Sequence, residues 1–343
     1  MAARRTRAFD SRRLGDAIHR ALASVGRVVR REDTAKTGPV AATPAPAASG
    51  EFVSLAFNNE AGTRAYKLFI PTCHESAAKA RFPLIVMLHG CTQTPDDFAA
   101  GTRMNALAQV HGFLVAYPAQ APGANGARCW NWFRVEDQAH GRGEPSLIAG
   151  IARAVTSHYR IDAQRVFVAG LSAGAAMAVI LGETYPDVFA AVGVHSGLPF
   201  GAAHDATSAF AAMKGDAKAA KAAAPTGGLE AASKRANSAI RTIVFHGDAD
   251  RTVAPRNGLA IVRAATRARS VAAPLRASVQ DGAVVGGRAY AREVFVDRAA
   301  RPIVEYWIVH RAGHAWSGGS ADGSYTDPAG PDASAEMVRF FLQ

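Results

Sequence analysis

Val166-Phe-Val-Ala169 is a short, wholly apolar run, and the Ala-, Met- and Leu-rich segment from Ala175 to Tyr185 follows it after only Gly170-Leu-Ser-Ala-Gly174. The run reads as a buried strand and the segment as a helix, so the five residues between them must reverse the chain sharply. In a G-x-S-x-G turn the serine backbone is strained at the tip. Both glycines are needed there, because a side chain at either position would collide with the neighbouring strand or helix. Ser172 is therefore the candidate nucleophile, its hydroxyl directed into an open cleft.

The rest of the chain fits round that turn. Phe52–Phe57 and Tyr66–Ile70 read as a first pair of strands joined by a turn at Asn58–Gly62, and Phe82–Leu88 reads as a buried strand running into His89-Gly-Cys-Thr-Gln-Thr94. Further apolar strands are expected at Gly112–Tyr117, Ala190–His195, Thr242–Phe245 and Ile303–Val309, with a two-stranded insert around Tyr290–Val296. Helices are expected after Thr94, over Pro145–Tyr159, near Gly258–Ala268 and over Ala333–Leu342, and the Ala/Lys-rich stretch Gly201–Ser238 reads as helices over one edge of the cleft. Continuous apolar strands alternating with helices imply an α/β fold, its mostly parallel central sheet covered by helices on both faces.

A chain of 343 residues is long enough for one enzyme domain plus an extra N-terminal piece. Residues 1–50 form that piece. Leu14, Ile18, Leu22, Val25 and Val29 recur at helical spacing among arginines, giving an amphipathic basic helix over Ser11–Val29, and the Ala/Pro-rich stretch Thr37–Gly50 reads as a linker. Two readings stand for the arm: a solvated tail, or a helix lying on an apolar or anionic surface. The domain at 51–343 then begins near Glu51. Much of the formal charge of +11 sits in the arm, and no zinc-ligand spacing, RNA-binding strand or basic recognition helix accompanies it, so nucleic acid is not an expected partner. Cys73, Cys91 and Cys129 allow at most one bridge and lack metal-site spacing. The N-terminus lacks the unbroken apolar core of a secretory signal and no stretch is long enough to span a bilayer, which makes the cytoplasm the expected location.

A serine hydroxyl is a poor nucleophile at neutral pH and needs a base, which in turn needs an acid to orient it. Folds built on this turn supply them in the order Ser, Asp or Glu, His, each from a loop after a strand. Asp248 and Asp250 share the loop after Phe245, and Asp250 is preferred because the nearer residue commonly shapes the turn. Of the histidines beside apolar strands, His310 and His314 follow the acid, and His314 is preferred because Gly313 and small residues place it on a loop beyond the strand. The backbone amides of Ala173 and Cys91 are the candidate oxyanion donors. A bridge between Cys91 and Cys129 is geometrically possible, since both lie on loops flanking the cleft, although a reducing cytoplasm argues against its being required.

The motifs His89-Gly-Cys-Thr-Gln-Thr-Pro95, Cys129-Trp-Asn-Trp-Phe133, Gly170-Leu-Ser-Ala-Gly174, Gly313-His-Ala-Trp-Ser-Gly-Gly319 and Tyr325-Thr-Asp-Pro-Ala-Gly-Pro-Asp332 together resemble the polyhydroxybutyrate depolymerase family of α/β-hydrolase esterases, from about Glu51 to the C-terminus. The resemblance implies the α/β-hydrolase fold and hydrolysis of esters of short 3-hydroxyacids, without metal or organic cofactor, with nucleophile, acid and base on Ser172, Asp250 and His314. It extends more distantly to feruloyl and acetylxylan esterases, and a catalytically silent granule coat protein is the non-enzyme alternative. On this reading Trp130, Trp132 and Trp316 either line the cleft, where flat apolar rings suit a methyl-bearing polyester, or belong to the core. Secreted members of the family carry a separate polymer-binding domain after the hydrolase, and the chain closes with its hydrolase helix. The expected substrate is accordingly amorphous polyhydroxybutyrate granule polymer or soluble oligomers inside the cell, with the basic arm as a means of docking to the granule surface.

Overall fold

Strands that are apolar on both faces cannot lie at a surface, and in this chain they fill the middle of one sheet. The computed structural model describes residues 49–76, 80–216, 240–270 and 274–343. The expected helix at Ser11–Val29, most of the linker and much of the 201–238 stretch lie outside the described residues.

Strands β1 (Glu51–Asn59), β2 (Gly62–Ile70), β3 (Phe82–Leu88), β4 (Leu114–Pro118), β5 (Ile161–Leu171), β6 (Ala191–His195), β7 (Arg241–Gly247), β8 (Arg276–Ala283), β9 (Ala289–Val296) and β10 (Pro302–Val309) form a ten-stranded sheet in the order β1-β2-β4-β3-β5-β6-β7-β10-β9-β8. From β4 through β10 in that order neighbours run parallel, whereas β1, β2, β9 and β8 extend the sheet antiparallel at its two ends. The segment around Tyr290–Val296 is thus no separate insert, because β9 pairs along most of β10 and carries β8 with it.

Side chains alternate across each strand and so divide the core into two layers. Leu84, Val86 and Leu88 of β3 face helices α3 (Gly143–His158), α4 (Ala173–Thr184) and α6 (Arg256–Ser270), while Ile85 and Met87 face α1 (Pro95–Thr102), α2 (Met104–His111) and α7 (Ala333–Leu342). A shorter helix, α5, spans Ala206–Met213. Phe341 stacks flat on Phe167 of β5 at 4.9 Å, and burying an aromatic side chain of this kind stabilises the fold by about 1.5–3 kcal/mol. Local chemistry sets the helix starts. Thr94 accepts from the Asp97 amide with Pro95 in the first helical position, and Asp332 accepts from the Ala335 amide to open α7. The loops that follow β3, β5, β7 and β10 at their carboxyl ends carry the residues of interest, as open parallel sheets usually arrange.

Candidate active site

Ser172 stands between β5 and α4 at φ 57° and ψ −117°, a backbone that a residue with a side chain adopts only when its surroundings force it. A Cβ on Gly174 would lie 2.1 Å from the Leu88 carbonyl oxygen, and one on Gly170 would lie 2.5 Å from the Gly174 carbonyl carbon. The two glycines therefore let β3, β5 and α4 meet closely under the serine. The Ser172 amide donates to the carbonyl of His195 at the end of β6, and Ser172 itself is part-exposed.

The loops after β7 and β10 hold two Asp–His pairs side by side. His314 Nδ1 donates to Asp250 Oδ2 at 2.8 Å, and His310 Nδ1 donates to Asp248 Oδ2 at 2.9 Å. Sheet order separates their roles. His310 anchors on the β9 side, its amide donating to the Ala289 carbonyl, with Asp281 of β8 acting on its charge. The loop carrying His314 docks the other way: the Ser317 amide donates to His195 Nε2 at 3.0 Å, against the strand whose carbonyl holds the Ser172 amide. His314 thus belongs to the Ser172 side of the sheet and His310 to the far side.

Asp250 is only 5% exposed. Burial alone would push its carboxyl up, but hydrogen bonds from His246 and His314, with their nearby charge, outweigh that and hold it well below the usual carboxylate range. Its Oδ1 accepts from the amides of Thr252 and Val253, each at 2.9 Å. An ionised carboxylate can only accept, so the His314 proton sits on Nδ1 and Nε2 is left as the acceptor. His195 is the hub beneath. It is buried and stacks between Phe245 and Trp316, and burial, together with His246 and His314 nearby, pushes it down to about 3, so its ring is neutral and accepts from Ser317. In the sequence His195 shows only as the end of a buried strand, since a hydrogen bond between strand and distant loop leaves no local pattern.

The loop after β3 is braced from several sides. His89 is buried and burial pushes it down to about 4; its Nε2 accepts from the Gln120 amide, so the proton lies on Nδ1 and is donated to the Gly90 carbonyl. Gln93 accepts from the Gly90 amide and donates to Asp97. Among the described residues the Cys91 amide makes no hydrogen bond, and Ala173, first in its helix, has one of the four amides without a partner inside the helix. Both amides are therefore available to an oxyanion.

Cys91 and Cys129 form a disulfide, so the bridge that loop placement allowed is present, and Cys73 is free. It ties the loop after β3 to the long loop after β4, where Asn131 donates twice to buried Glu144. Joining residues 38 apart, the bridge is expected to stabilise by about 2–4 kcal/mol. Replacing both cysteines by alanine should lower the melting temperature while leaving turnover within about tenfold, since Trp130, Gln93 and His89 still hold the loop. A melting temperature unchanged by reductant would show that the bridge contributes nothing.

The cleft-lining reading of the tryptophans is overturned. Trp130 and Trp316 are wholly buried and Trp132 is 6% exposed. Each indole of the first two satisfies its N–H inside the protein, Trp130 on the His89 carbonyl and Trp316 on Ser334 Oγ, and Trp316 packs edge-on to Phe98; Trp132 packs edge-on to Phe133. They are struts under the site loops. Among the described residues no group of three or more His, Cys, Asp or Glu side chains could hold a metal ion, and no helix is long and apolar enough to cross a membrane.

The profile of the family described as "Esterase PHB depolymerase" matches residues 64–274, more than half of the chain. The poly(3-hydroxyalkanoate) depolymerase C of Paucimonas lemoignei is 35% identical over 241 residues, 70% of this chain and 56% of that protein. Acetylxylan esterase A of Talaromyces purpureogenus is 32% identical over 51% of this chain and 46% of its own length. The chain thus spans about half the length of these curated relatives. An acetyl xylan esterase structure from Aspergillus awamori superposes with a TM-score of 0.61 and 21% identity over 85% of this chain and 99% of that one, a likeness that establishes the shared α/β-hydrolase fold.

Proposed function

The chain belongs to the PHB depolymerase esterase family, and on that footing we propose that it is a serine esterase cleaving poly(3-hydroxybutyrate) or its soluble oligomers through an acyl-enzyme. The observation that carries the reading is the Asp250–His314 pair at 2.8 Å, docked through His195 against the strained turn of Ser172. In the proposed cycle His314 Nε2 takes the proton of Ser172 Oγ as the oxygen attacks the ester carbonyl. The Cys91 and Ala173 amides donate to the oxyanion. Collapse of the tetrahedral intermediate breaks the C–O bond, and His314 returns the proton to the departing alkoxide oxygen, which leaves as the hydroxyl of the 3-hydroxyacid. Water then attacks the acyl-enzyme with the same base, freeing the acid and Ser172. Asp250 fixes the imidazole tautomer and stabilises the imidazolium formed at each attack.

The relatives named as acetylxylan esterases support a second reading, an esterase for acylated polysaccharide. Parallel assays on hydroxybutyrate trimer, acetylated xylan and methyl ferulate separate the two, and turnover of the polysaccharide esters alone would sink the polyester reading. We further propose that the basic N-terminal arm docks on the granule surface. Deleting residues 1–50 should then leave trimer hydrolysis nearly unchanged and reduce sedimentation with native granules, and the electrostatic part of the arm's contribution should weaken as salt rises. Equal granule binding by the truncated protein would reduce the arm to a tail. A cytoplasmic, granule-side location requires an enzyme that works with Cys91 and Cys129 as thiols, which the paired alanine variant tests.

A further inference from the structure

With the tryptophans buried, the site needs another surface to hold the ester chain, and one exposed aromatic side chain stands beside it. Tyr325 is 48% exposed and has a left-handed backbone, φ 53°. Its carbonyl accepts from the Trp316 amide at 2.6 Å, two residues beyond His314, and its hydroxyl lies 3.3 Å from Thr92 Oγ1, one residue beyond Cys91. The residue therefore spans from the histidine loop to the oxyanion loop. Both anchors are firm. Thr92 Oγ1 donates to the Cys91 carbonyl at 2.6 Å. Ser324, next in the chain to Tyr325, donates its amide and hydroxyl to Asp97, and its carbonyl accepts from Gln93, the side chain that braces Gly90. Of the other exposed large apolar side chains among the described residues, the one aromatic, Phe210, sits on α5.

We propose that Tyr325 is a specificity-determining residue whose ring contacts the part of the substrate beyond the scissile group, a methyl-bearing 3-hydroxyacid ester unit. The proposal rests on the polyester reading above. An aromatic face removes apolar surface from water at little cost in rotamer freedom, and its hydroxyl is held at the rim by Thr92, so the ring presents a fixed wall to the ester unit. A small ester such as p-nitrophenyl acetate has no such unit to offer.

Steady-state kinetics of Tyr325→Ala and Tyr325→Phe on soluble 3-hydroxybutyrate trimer and on p-nitrophenyl acetate test this. Tyr325→Ala is expected to lower the ratio of kcat/KM for trimer to kcat/KM for p-nitrophenyl acetate by roughly tenfold, mainly through a higher KM for trimer. Tyr325→Phe keeps the ring and should hold the ratio within about threefold of wild type. An unchanged ratio in Tyr325→Ala overturns the proposal, and so does an equal loss on both esters, which would mean that the residue only ties the two loops together. The wild-type arm reports separately on the reading beneath it: a wild-type enzyme that hydrolyses p-nitrophenyl acetate and ignores trimer overturns the polyester substrate and this assignment with it.

Discussion

Replacing Ser172 by alanine is expected to lower kcat by about 10⁴- to 10⁶-fold, and His314→Ala by a similar factor, because nucleophile and base act as one unit. The same logic makes the losses non-additive: the double variant should be little worse than either single one. Alanine at 172 keeps the turn, since the close approach depends on Gly170 and Gly174 and the backbone hydrogen bond to the His195 carbonyl needs no side chain. A folded Ser172→Ala protein, checked by its melting curve, should also fail to react with a fluorophosphonate, whereas wild type is labelled at Ser172. Activity above about a tenth of wild type in Ser172→Ala would show that the serine turn is not the reacting site, and the same result in His314→Ala would remove His314 as the base.

Much of this architecture could be read from local pattern. The Ser172 turn, the two glycines and the order of strands were legible because each is a statement about neighbours in sequence: an apolar run, five turn residues, a helix. The closing helix at Ala333–Leu342 has those bounds in the structure, helped by an aspartate cap at its start. What escaped were relations across the sheet. Trp130 and Trp316 have the composition of a binding surface, yet partners far away in sequence, His89 and Ser334, take their indole N–H groups and pull both rings inside. A tryptophan in a loop motif does not reveal which of its faces water reaches. The same holds for His195, whose ring and carbonyl join two loops that the chain reaches 23 residues before and 122 residues after it, respectively: Ser172 counted back from His195 and Ser317 counted forward. In each case the motif is real and its work is support.

Loss of Asp250 should be nearly as damaging as loss of the nucleophile: Asp250→Asn is expected to lower kcat by roughly 10⁴-fold, against less than about tenfold for Asp248→Asn. Both oxygens of Asp250 already receive donors, Oδ1 from the Thr252 and Val253 amides and Oδ2 from His314 Nδ1. Asparagine has one acceptor oxygen. If that oxygen stays on the two amides, the NH₂ group faces His314 Nδ1 and forces the imidazole proton onto Nε2, where it can no longer accept from Ser172. If the amide flips, its NH₂ group meets the two backbone donors and the turn loosens. No rotamer keeps both. The carboxylate, held low by its partners despite burial, is ionised throughout the working range, and because its folded value lies below the unfolded one of about 3.9, its contribution to stability is present above that value and lost only as pH falls into acid. The neighbouring pair meets a different demand. Asp248 accepts from the Arg311 amide and from His310, and its hydrogen bond raises the His310 pKa, but this pair faces β9 and β8. Its asparagine variant should therefore lose stability first and turnover second. Steady-state kinetics and melting curves of the two variants, measured together, decide the matter: a larger kcat loss in Asp248→Asn than in Asp250→Asn would transfer the acid to the other pair and His310 with it.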